Sequence, residues 1–71
     1  MRRYLVIYEK TSTGYSAYVP DLPGVIATGK SKAIVEKYIS EAIQFHIEGL
    51  KLEKLPIPKS AASGETLVFA V

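Results

Sequence analysis

The sequence contains no cysteine and only one histidine, His46. The first absence excludes disulfides and thiolate metal sites. The second leaves too few imidazoles for a histidine-based metal site. No apolar run approaches the roughly 20 residues of a membrane span. The run near the N-terminus, YLVIY, is too short for a signal peptide and no small-residue cleavage site follows it, so a soluble cytoplasmic chain is expected. Charge of one sign is also scarce: the net charge is +2 with acids and bases interspersed. That is far from the basic stripe of a dedicated nucleic-acid binder.

What is present is apolar surface. The chain has 71 residues, of which 48% are hydrophobic. One small domain spanning residues 1–71 is expected, with a thin core, because a chain this short buries only about 60% of what it exposes when unfolded. Small domains gain further stability from disulfides, a metal or self-association. With the first two excluded, self-association remains, and a homodimer or homotetramer is expected.

Tyr4–Glu9 (YLVIYE) is rich in β-branched and aromatic residues and reads as a strand. Its faces are Tyr4, Val6, Tyr8 and Leu5, Ile7. Both are apolar, which predicts a central strand covered on both sides. Lys10–Gly14 is a polar turn, and Tyr15–Val19 (YSAYV) completes an antiparallel hairpin. Pro20-Asp-Leu-Pro-Gly24 forms a proline-stiffened turn before a third strand, Val25–Thr28. Ser31 then reads as an N-cap.

From Lys32 to Leu50 the period changes to that of a helix. Ile34, Val35, Tyr38, Ile39, Ala42, Ile43, Phe45, His46, Ile47 and Leu50 fill one broad arc. The arc is wider than one sheet face needs, and Ile34 and Phe45 on its margin are candidates for a subunit contact. Gly49 is expected to help end the helix. Lys51–Glu65 is a connector stiffened by Pro56 and Pro58, and Thr66–Val71 (TLVFAV) reads as a last strand. The expected architecture is α+β, order βββαβ, with one helix on a mostly antiparallel four-stranded sheet. The last strand is expected to lie parallel to the first, since a helix crossover connects them. One helix covers one face, so the other is expected to stay apolar and wet, with Tyr4, Val6 and Tyr8 as candidate interface residues.

No catalytic constellation emerges. Asp21 has no second carboxylate suggested by spacing, and two-metal nuclease chemistry needs several. Its turn-forming role is sufficient explanation. His46 has no Ser, Cys or Asp partner and reads as a packed helix histidine. The five tyrosines, with Arg2, Arg3 and Lys10, suggest a base-stacking alternative, against which the small net charge speaks. No enzyme, metal or cofactor is expected.

The order of motifs resembles the HicB-like antitoxins of toxin–antitoxin pairs. The resemblance rests on the hairpin Y-L-V-I-Y-E-K…G-Y-S-A-Y-V, the block Pro20, Asp21, Leu22, Pro23, Gly24, the T-G before an amphipathic helix carrying S-E-A-I, and P-I-P after it. It covers nearly the whole chain. It implies a truncated ribonuclease H-like sheet with one helix. It also implies a HicA-type toxin as partner, a small mRNA-cleaving ribonuclease that would be blocked by occlusion. Many members carry a C-terminal DNA-binding domain, which is not found up to Val71. A small nucleic-acid binder and an oligomeric scaffold without a toxin are the alternative readings.

Overall fold

The structure is a computed structural model that describes residues 2–71. Its elements are β1 (Ile7–Lys10), β2 (Tyr15–Tyr18), β3 (Ile26–Gly29) and α1 (Lys32–Leu52). The sheet order is β1-β2-β3 and both pairings are antiparallel. The hairpin follows the sequence pattern: Lys10 pairs with Tyr15, and Thr11 N–H donates to the Gly14 carbonyl at 2.8 Å.

The stretch from Val19 to Val25 is built as two consecutive β-turns. Leu22 N–H donates to Val19 O and Val25 N–H donates to Leu22 O, each at 3.1 Å, while Val19 N–H reaches back to Val25 O at 3.3 Å. Each turn has proline at its second position, where the fixed φ of the ring suits it. Gly24 supplies φ +88 at the third position of the second turn, the type II arrangement that disfavours any side chain. The double turn aims Leu22 inward, and it is fully buried. The buried core is Ala17, Val19, Leu22, Val25, Val35 and Ile39, so half of it comes from this block and its flanks.

Ser31 caps α1 as expected, its hydroxyl accepting from Ile34 N–H at 3.2 Å. Val35 and Ile39 are the buried helix residues, with Ala42 and Ile43 packed beside them. They meet Ala17 and Ala27, whose small side chains let the helix lie close to the sheet. The helix does not end at Gly49. Leu55 N–H donates to Leu50 O and Lys54 N–H to Lys51 O, with Lys54 at φ +57. This is a Schellman motif that satisfies the last carbonyls, with lysine where glycine is usual.

Among the described residues three strands form, not four. Residues 55–71 carry no regular secondary structure, and Leu67, Val68, Phe69 and Val71 are exposed. Strand residues are stabilised by cross-strand neighbours, and the path of the chain denies Thr66–Val71 a neighbouring strand. The arm shows in the overall dimensions, 49 × 26 × 18 Å with a radius of gyration of 13.9 Å. A compact chain of this length would have about 11 Å.

Candidate partner-binding surfaces

The double turn does more than reverse the chain. Asp21 sits at the third position of the first turn, half-buried, and its Oδ2 accepts from the backbone N–H groups of Ala61 and Ala62, each at 3.0 Å. Its role is therefore long-range capping, 40 residues away, where a local turn role was expected. Tyr4 supports the same segment, its hydroxyl donating to Pro58 O at 2.5 Å. Gly64 then passes the Leu5 side chain, where an added Cβ would lie 3.6 Å from Leu5 Cδ2. Residues 58–64 are thus latched to the body, and beyond them Leu67, Val68, Phe69 and Val71 are exposed.

Hydrogen bonds to a charged acceptor are worth about 1.5–3 kcal/mol each. Asp21→Ala is expected to speed hydrogen exchange at Ala61 and Ala62 roughly 30-fold, equivalent to about 2 kcal/mol. The Val35 and Ile39 amides are expected to change much less. Equal acceleration at both places would mean that Asp21 supports the whole fold and not the latch.

Side chains alternate across a strand, so the registers assign the two sheet faces. Tyr8, Ala17 and Ala27 form one cross-strand row, and all three pack at the core beneath the helix. Ile7, Tyr18 and Ile26 form the next row and therefore point away from the helix. This corrects the expected faces. Tyr4, Val6 and Tyr8 pack against the core, while Leu5 and Ile7 share the parity of the helix-free side. Tyr8 is further engaged by Lys32, whose Nζ lies 5.1 Å from the ring centroid. Burial, and secondarily the Glu36 carboxylate, pushes its phenol above the ordinary value.

On the helix margin, Ile34 and Phe45 are both exposed. His46 is half-buried and lines a hollow with Phe45, Gly49, Leu50, Glu53 and Leu55. Among the described residues, no group of three or more His, Cys, Asp or Glu side chains is placed to hold a metal ion. Among the same residues, no helix is long and apolar enough to cross a membrane.

Residues 4–68 match the model of the HicB-like antitoxins of bacterial toxin–antitoxin systems. The chain belongs to the HicB-like antitoxin family. A UPF0150 protein of Thermoplasma acidophilum is 39% identical over 66 residues, which is 92% of this chain and 96% of that one. An uncharacterized 14.9 kDa protein of Haemophilus phage HP1 is 39% identical over 57 residues, 80% of this chain but 43% of the phage protein. This HicB-like chain thus spans under half the length of the phage relative and nearly all of the archaeal one. Among solved structures, a chain of the HicA3 and HicB3 toxin–antitoxin complex superposes with a TM-score of 0.69 at 33% identity, covering 84% of this chain and 70% of that one. The HicB-like family block Pro20–Gly24 is, in this fold, simultaneously the source of a core leucine and the anchor of the C-terminal arm.

Proposed function

We propose that this chain is a non-enzymatic, cytoplasmic antitoxin that neutralises a HicA-type mRNA-cleaving toxin by covering its active or RNA-binding surface. Residues 1–71 act together as one binding module. The observation that carries the reading is the helix-free sheet face. Ile7, Tyr18 and Ile26 form an apolar row on the side of the sheet away from the helix, and Ile26 is 66% exposed. Exposed apolar rows of this kind mark protein-binding surfaces. The family and the likeness to a chain from a toxin–antitoxin complex give the partner its class. The mechanism is complementarity and burial, with no turnover.

The test is titration of the chain into an RNA-cleavage reaction run by a HicA-type toxin, beginning with any such protein found encoded beside it. The wild-type chain is expected to stop cleavage at stoichiometric amounts. Ile26→Glu removes no core packing, so circular dichroism is expected to stay unchanged. The concentration needed for inhibition is expected to rise about 100-fold, as for loss of a central interface anchor. Failure of the wild-type chain to co-elute with the toxin or to relieve its growth arrest would overturn the antitoxin reading. Metal-dependent RNA cleavage by the purified chain would overturn its non-enzymatic part.

A further inference from the structure

We infer that residues 65–71 are a strap that closes over the Ile7, Tyr18 and Ile26 row of their own chain, so that a partner must displace it to use that row. The closure stands on the path of the arm alone. Its inhibitory role rests on the toxin reading.

Three contacts fix the course of the arm ahead of this segment. Tyr4, which packs on the helix side, donates to Pro58 O. Asp21 Oδ2 accepts from the Ala61 and Ala62 N–H groups. Gly64 lies against the Leu5 side chain. Tyr4 and Leu5 are neighbours in sequence, so their side chains point to opposite faces. The arm therefore rounds the sheet ahead of β1 and arrives on the helix-free side. The double turn that carries Asp21 joins Tyr18, the last residue of β2, to Ile26, the first of β3. Ile7 begins β1 and pairs with Tyr18. The row is thus the first of the sheet at the end where the arm is anchored.

The spacing permits closure. Leu5 precedes Ile7 by two residues, roughly 7 Å along the strand, and the row crosses two strand spacings, about 10 Å. Ile26 is therefore about 12 Å from Leu5. The five residues from Gly64 to Phe69 cover about 16 Å when extended.

The chemistry matches on both sides. Leu67, Val68, Phe69 and Val71 are exposed, as are Tyr18 and Ile26. Glu65 is the sole charged side chain after Lys59. Two exposed apolar surfaces this close in one chain both lose water when they meet. Lying across the face also differs from forming a fourth strand, which needs a paired edge. Only side chains are buried, and the N–H and C=O groups of the strap stay in water. The segment belongs on its own chain because it starts on the face that it covers.

Disulfide trapping in the full chain tests this, and the chain has no cysteine of its own. With Ile26→Cys and Phe69→Cys together, mild oxidation at low micromolar concentration is expected to give a disulfide within one chain. It is expected to form about 10-fold faster than in the control pair Ser40→Cys and Phe69→Cys, because Ser40 is exposed on the helix. Tyr18→Cys with Leu67→Cys repeats the measurement if the first pair does not fold. Equal rates for test and control pairs, or disulfides formed only between copies, would overturn the strap. The oxidised and reduced forms are then titrated against a HicA-type toxin. The oxidised form is expected to need about 10-fold more chain for inhibition, since its row is held covered. Equal inhibition by both forms would overturn the inhibitory role. Trapping as expected, with no inhibition even by the wild-type chain, would sink the antitoxin reading and leave the strap standing.

Discussion

Leu22→Ala is expected to unfold most of the protein at 37 °C. Leu22 is fully buried and is one of six core residues among those described. Removing a buried leucine side chain costs about 2–5 kcal/mol, the larger values applying where the surroundings cannot collapse into the gap. The double turn around Leu22 cannot collapse readily: two prolines and three backbone hydrogen bonds hold its position. A domain of this size has a total stability of about 4–11 kcal/mol, so the loss is comparable with the whole. Urea denaturation followed by circular dichroism reads it directly as a fall in midpoint. A change below about 1 kcal/mol would mean that the core is not organised around the double turn.

Gly14→Ala is expected to be nearly as damaging, although Gly14 is in a surface turn. An added Cβ would fall on the carbonyl oxygen of Gly29, with Lys30 Cα at 2.9 Å. Both obstacles are backbone, so the hairpin turn and the end of β3 must separate. Overpacking costs typically 1–3 kcal/mol, and a collision with main chain belongs at the top of that range. About 3 kcal/mol corresponds to a fall in Tm of roughly 12–24 °C in a domain of this length. Gly29→Ala is the informative contrast. Its Cβ would meet the Ile34 and Val35 methyl groups at 3.0 and 3.1 Å, side-chain atoms that can shift. The expected drop is smaller, and equal melting of the two variants would contradict the distinction.

The parts of the fold that were legible in the sequence are those decided locally. The Ser31 cap, the helix period and the hairpin all depend on residues a few positions apart, and the structure has them within about three residues of the expected limits. The strand faces were not legible, because YLVIY is apolar at both parities. Only the register with β2 shows that Tyr8 lies under the helix and Ile7 does not. The helix end was misread at Gly49 because the left-handed cap is taken by Lys54, at a conformational cost of about 1–2 kcal/mol that composition does not advertise. TLVFAV has strand character, but a strand also needs a neighbour, and that is a property of the path of the chain. Asp21 is the same case: its turn role is local and readable, whereas acceptance from Ala61 and Ala62 depends on where the arm runs.

The latch at Asp21 also sets a length scale. Nine residues follow Ala62 as far as Val71, a tether with a reach of about 30 Å. A group held at its end searches a small volume around the double turn, and its effective concentration against the body is of millimolar order. If the Asp21 contacts are lost while Tyr4 keeps Pro58, the tether becomes the thirteen residues from Lys59 to Val71. With the usual −3/2 power of length, local concentration then falls to about 60% of its value. Asp21 thereby tunes how often Val71 meets the surface around the double turn.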